Sequence, residues 1–240
     1  MKILKRIALT VLAGLLFVSF GASADDAYPL QNPQYTMNRA TVIRGAKLFA
    51  DNCMACHSVS SIRYDRLTQD LGMPEADVKK EIMLPDKADY LMGMSSTMPP
   101  ALAIKMFGYA PPDLSHMERY KGANWIYTYL LSFYQDPSRP SGWNNHVFPN
   151  VAMPDVLAPW GGIVNAHGQV IQKGSMSLAK FQNQAADIVA FLRYTADPSV
   201  FERWAFGLWV LGGLLVFTIS AFFLKREYWK DVHQASDGSI

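Results

Sequence analysis

The sequence predicts a mainly α-helical domain with long Pro-rich loops, tied to a membrane by one C-terminal transmembrane helix. Three observations carry this expectation. Apolar residues recur at spacings of three and four near both ends of the central region, strand signals are few, and an uncharged run stands near each chain terminus. The composition fits: 240 residues, 50% hydrophobic and 18% charged, are enough to bury a core and too apolar for disorder. With 22 basic against 20 acidic side chains there is no excess of charge for a nucleic acid. Two cysteines exclude a disulfide scaffold and a four-thiolate metal site.

At the start of the chain, Lys2, Lys5 and Arg6 precede the uncharged residues 7–20, and Ala22-Ser23-Ala24 follows before Asp25-Asp26. A basic region, a short apolar run and an A-x-A site describe an export signal cleaved after Ala24, so that residues 25–203 are expected in the periplasm. Residues 38–52 place Val42, Ile43, Ala46, Leu48 and Phe49 in helical proximity, and Gly45 allows a second helix to approach closely. Residues 65–89 are richer in acids than in bases, which describes a solvated loop surface or an acidic face that steers a basic partner. Ser115-His116-Met117-Glu118 has the form of a capping box, and a helix is expected over residues 123–135 through Trp125, Ile126, Tyr129, Leu130 and Phe133. A further apolar stripe runs through Leu178, Phe181, Ala185, Ile188, Val189 and Leu192; Ser175 or Ser177 can cap it, and Asp197-Pro198 ends it.

Residues 204–224 carry no charge and, as a helix, measure about 31 Å, the thickness of a hydrocarbon core. Trp204 and Trp209 at one end and Tyr228 and Trp229 at the other resemble interfacial belts. Lys225, Arg226 and Lys230 after the run, against Arg193 and Arg203 before it, bias residues 225–240 towards the cytoplasm as a short tail. Gly212-Gly213 within the run permits close helix contact, or reflects the ordinary frequency of glycine in membrane spans.

The chemistry resides in Cys53-Met54-Ala55-Cys56-His57, a C-x-x-C-H sequence. Two thiols separated by two residues can each form a thioether with a porphyrin vinyl group, and the next residue then offers an imidazole to the iron. The motif predicts one covalent haem c on Cys53 and Cys56 with His57 as an axial ligand. A redox dithiol belongs near a βαβ pattern, which this sequence lacks, and a zinc site wants further ligands, whereas the remaining histidines are scattered. An N-terminal helix crossing a C-terminal helix beside the haem is a cytochrome c-like arrangement.

An electron carrier keeps both axial positions filled, and methionine opposite histidine raises the potential. Two methionines sit in loops stiffened by proline, Met98-Pro99-Pro100 and Met153-Pro154, and pattern alone favours neither. His116, His146 and His167 are rivals, each in a polar stretch that suits a surface histidine.

The order of short motifs resembles the cytochrome c1 family, the haem subunits of the cytochrome bc1 complex (ubiquinol–cytochrome c reductase). The resemblance runs through Arg44-Gly45, the haem motif with Ser58, Tyr64 and Leu67, and Pro111-Pro112-Asp113-Leu114-Ser115. It continues through Asn145-His146-Val147-Phe148-Pro149 into Met153-Pro154, then Met176-Ser177, Phe191-Leu192-Arg193-Tyr194 and the terminal anchor. It implies Met153 as the second axial ligand of the iron, with Met98 as the runner-up. It also implies an electron accepted from a Rieske iron–sulfur protein and passed to a c-type cytochrome, in a dimeric inner-membrane complex with cytochrome b. A membrane-anchored single-haem carrier outside any complex shares every motif but the partners. In relatives an arginine is expected shortly before Pro111-Pro112 to pair with a haem propionate; here the nearby base is Lys105, which cannot make the bidentate contact.

Overall fold

The computed structural model describes residues 28–83 and 89–237. The expected export signal lies outside the described residues. From Gln31 onwards the chain forms one unit. Its centre is the crossing of α1 (Arg39–Asn52) and α8 (Leu178–Ala196). Asn38 caps α1 by accepting from the Thr41 N–H, and Ser177 caps α8 by accepting from the Lys180 N–H. Asp197 ends α8, as Asp197-Pro198 predicts.

At the crossing the two backbones nearly touch: a Cβ built on Gly45 would lie 1.9 Å from the Asp187 carbonyl oxygen. Only hydrogen fits there, which is the physical reason for glycine in a helix it otherwise weakens. Beside it, Phe49 and Phe191 meet with ring centroids 5.3 Å apart, and Val42, Ala46, Ala185, Ile188 and Val189 are buried in the same core. Arg44 closes the outer edge with a bidentate pair to Asp187 at 2.8 and 3.0 Å.

Between these helices come α2 (Tyr64–Leu71), α3 (Glu75–Glu81), α4 (Pro100–Phe107), α5 (Met117–Lys121), α6 (Ala123–Leu131) and the single turn α7 (Ala158–Gly161). Three short antiparallel pairs join them: β1 (Val59–Arg63) with β2 (Gly93–Met94), β3 (Phe133–Gln135) with β4 (Trp143–Asn145), and β5 (Gly162–Val164) with β6 (Val170–Lys173).

Two expectations need correction. The helix over residues 123–135 stops at Leu131, because Ser132 leaves helical geometry and Phe133–Gln135 pairs with Trp143–Asn145. The buried Asn145 amide takes up the Tyr129 carbonyl that a continuing helix would have satisfied, at 2.8 Å. The capping box at Ser115–Glu118 does not form: α5 begins after His116 with no side-chain cap. Ser115 Oγ instead accepts from the Ser61 N–H at 3.1 Å and so ties its own loop to β1.

Of the six described acids in residues 65–89, four form ion pairs within the chain. Asp65 pairs with Arg63, Asp70 with Arg66, Glu75 with Lys79 and Glu81 with Lys47, and the Tyr194 hydroxyl also donates to Asp70 at 2.7 Å. This favours the solvated-surface reading over a free acidic docking face.

The last element, α9, runs unbroken from Arg203 to Asp237, about 52 Å for its 35 residues. Within it, the most apolar 18-residue window of Ala205–Lys230 has a mean hydropathy of 2.1 and no burial against the rest of the described chain. An apolar helix of this length with every face open can cross a membrane. A Cβ built on Gly212 or Gly213 would meet nothing within 4 Å among the described residues outside the neighbouring turns of its own helix.

Candidate functional site

Under the α1–α8 crossing lies an apolar cleft of about 670 Å³. Cys53, Cys56 and His57 form one wall and Met153 lies on its lining; Trp125 and Tyr129 come from α6, and Ile188 and Leu192 from α8. Thus the three motif residues and one of the two candidate methionines share a single cavity. Met98, His116, His146 and His167 are not among its lining residues. His116 and His167 are exposed as expected, whereas His146 is half-buried, its ring 4.5 Å from that of Tyr134.

The motif sits on the frayed end of α1. Cys53 and Met54 donate to the Phe49 carbonyl at 2.8 and 3.0 Å, and Cys56 and His57 donate to the Cys53 carbonyl at 3.0 and 2.8 Å. This turn brings both sulfurs and the imidazole to the cleft. His57 Nδ1 lies 2.9 Å from the Pro112 carbonyl. A carbonyl only accepts, so Nδ1 carries the proton and Nε2 keeps its lone pair for a metal. Burial lowers the His57 pKa against smaller opposing effects of Pro112 and Asp113, which favours the neutral ligand form.

Pro112 is itself held in place. Asp113 accepts from the Ser60 N–H at 3.0 Å and the Ser60 hydroxyl at 2.6 Å, and from the Ser115 N–H at 2.8 Å. The Leu114 N–H donates to the Ser58 carbonyl at 2.8 Å. The Pro-Pro-Asp-Leu-Ser segment therefore acts as a brace for the histidine.

The Met153 loop has its own anchorage, on the β3–β4 hairpin. Asn145 Oδ1 accepts from the Val147 and Phe148 N–H groups at 2.9 and 3.1 Å, and Asn144 Oδ1 accepts from the Asn150 N–H at 2.8 Å. Arg139 donates to both the side-chain and backbone oxygens of Asn150, at 3.0 and 2.9 Å. These contacts hold Asn150 in the left-handed region at φ 66° and deliver Val151 and Met153 to the cleft.

The thiols are poorly suited to free-thiol chemistry. Burial, helped by Cys56, pushes the Cys53 thiol up to about 12, and burial also raises Cys56, so neither is an activated thiolate. Among the described residues no group of three His, Cys, Asp or Glu side chains can hold a metal ion, which disfavours the zinc alternative. A flat apolar macrocycle fits the cleft chemistry: apolar walls, an imidazole with its free nitrogen available, a thioether and two sulfurs set by one turn.

Several lining residues were not singled out by sequence as part of the site. Lys121 is the one Lys or Arg on the lining among the described residues, whereas Lys105 is exposed on α4 and lies outside it. Trp125 and Tyr129 stack with centroids 5.1 Å apart and interplanar angle 8°. Their spacing of four on one helix was visible in the sequence, but it also describes ordinary core.

A helical domain closed over such a cleft, with a C-x-x-C-H turn on its wall, defines a c-type haem-binding domain. The chain belongs to the cytochrome c1 family, whose description matches residues 28–232. It is 38% identical over 212 residues to cytochrome c1 of Allochromatium vinosum, covering 82% of this chain and 86% of that protein. It is 37% identical over 202 residues to a protein of Nitrosomonas europaea named ammonia monooxygenase gamma subunit, covering 82% and 85%. A mitochondrial cytochrome c1 heme protein of Solanum tuberosum is 27% identical over 254 residues, covering 91% of each chain.

Proposed function

We propose that the chain is the haem c electron-transfer subunit of a membrane quinol–cytochrome c reductase. In this reading Cys53 and Cys56 hold one haem through thioethers, and His57 and Met153 are its axial ligands. The haem supplies a one-electron ferric/ferrous couple; the chain's residues fix its position and exclude water from it. His57 is aimed by Pro112, Met153 is delivered by the hairpin-anchored loop, and Lys121 is the cation available to the carboxylates of the cofactor. The chain breaks no substrate bond of its own. The electron arrives from a Rieske iron–sulfur protein and leaves to a c-type cytochrome.

Residues 1–24 serve as the export signal, 25–203 as the periplasmic haem domain, 204–224 as the span and 225–240 as the cytoplasmic tail. The span holds the haem domain beside cytochrome b in the inner membrane, at high effective concentration for its donor, within a dimeric complex. The observation that carries this reading is that Cys53, Cys56, His57 and Met153 line one apolar cleft in a cytochrome c1 family chain bearing an unpartnered apolar helix. The name of the Nitrosomonas relative suggests a place beside a monooxygenase instead. Two strong axial donors on the cleft favour electron transfer over oxygen chemistry at this iron.

The test is purification through a C-terminal tag in mild detergent, with optical spectra before and after adding quinol. Co-purifying b-type haem and quinol-dependent reduction of the c-type haem are expected. Only c-type haem, under conditions that keep membrane complexes intact, would make the chain a stand-alone anchored carrier.

A further inference from the structure

The Met153 sulfur has a hydrogen-bond donor inside the cleft. The Tyr129 hydroxyl lies 3.3 Å from Met153 Sδ, a normal length for O–H donation to a thioether. The Tyr129 ring cannot easily swing away. One face is stacked on Trp125 at 5.1 Å, and the Phe133 ring stands edge-on at 5.0 Å. One residue before Met153, the Ala152 N–H donates to the Tyr109 hydroxyl at 3.4 Å, and Tyr109 lines the same cleft. Two tyrosines, one from α6 and one from the segment after α4, thus grip the last two residues of the loop. If the cleft needed only an aromatic wall, phenylalanine would serve at 129. The hydroxyl adds a polar atom to an apolar cavity, where leaving it unpaired would be costly.

We propose that Tyr129 is a positioning residue that orients the Met153 thioether and tunes the potential of the haem by donating a hydrogen bond to its sulfur. The inference rests on Met153 being the axial ligand. A thioether sulfur has two lone pairs, so one can face the iron while the other accepts from Tyr129. Donation from the hydroxyl withdraws electron density from sulfur, weakens its bond to ferric iron more than to ferrous iron, and so raises the potential. The same bond fixes the terminal torsion of a side chain that is otherwise among the most adaptable.

The test uses the full chain in its membrane complex, in four forms: wild type, Tyr129→Phe, 3-fluorotyrosine at position 129, and Met153→Leu. Each is titrated potentiometrically, and the ferric form is examined for the near-infrared sulfur-to-iron charge-transfer band. Tyr129→Phe is expected to keep the band and lower the potential by up to tenfold in the redox equilibrium, about 59 mV for one electron. Fluorotyrosine, a stronger donor of the same shape, is expected to raise it. Unchanged potentials in both, with the band intact, would reduce Tyr129 to a packing residue and overturn the proposal. If Tyr129→Phe fails to load haem, the fluorotyrosine shift decides alone. A band that survives Met153→Leu would show instead that the ligand assignment is wrong, and the proposal would fall with it.

Discussion

Asp113 stabilises the site by accepting hydrogen bonds rather than by facing the cofactor. Burial alone would raise its pKa, but the hydrogen bonds from Ser115 and Ser60 outweigh burial and hold it below the ordinary value of 3.8. A carboxylate with a depressed native pKa contributes stability that is fully present above its unfolded value, and that contribution is lost as the pH falls through the native one. The domain is therefore expected to weaken below about pH 4, through the loop that aims His57. Because this carboxylate is still largely solvated, Asp113→Asn should cost about 1 kcal/mol at neutral pH and flatten the acid limb. Denaturant unfolding at several pH values measures both effects. At this scale Cys53, Cys56 and His57 were legible because their chemistry depends on spacing within five consecutive residues. Tyr129 and Lys121 were not, since an apolar helix position and a solvated lysine become site residues only when distant loops close over them.

Elements show the same division between local and distant causes. The caps at Asn38 and Ser177, the stop at Asp197-Pro198 and the close approach at Gly45 all follow from residue type in a short window. The end of α6 does not. Phe133, Tyr134 and Gln135 continue a helical apolar pattern, and only pairing with Trp143–Asn145 turns them into a strand. The resemblance to a known family, rather than periodicity, separated Met153 from Met98; the hairpin anchorage of residues 145–150 and the place of Met153 on the cleft lining support that proposal. Gly45→Ala should destabilise the domain by about 3 kcal/mol, because its methyl would press on the Asp187 backbone. Gly72→Ala, at φ 75° with open space around it, should cost only about 1 kcal/mol from backbone strain. Thermal unfolding of the two variants side by side distinguishes a helix crossing from a turn; equal losses would contradict the close-contact account.

For the whole molecule, the haem domain and the anchor make separable contributions. The buried core and cleft belong to the chain before α9, whereas the Ala205–Lys230 segment buries nothing against them. A chain ending at Glu202 should load haem and appear in the soluble fraction, while losing quinol-dependent reduction at least tenfold through the lost tether. Fractionation followed by a haem stain checks this; haem that stays with the membrane would mean that the domain holds on by another surface. The measurement that bears most directly on the site is exposure of the reduced protein to carbon monoxide, for wild type and Met153→Leu. Iron held by His57 and Met153 should leave the wild-type spectrum unchanged, and the variant should bind carbon monoxide and lose potential while keeping its covalent haem. Carbon monoxide binding by the wild type, or an unaltered variant, would contradict the two-ligand electron carrier.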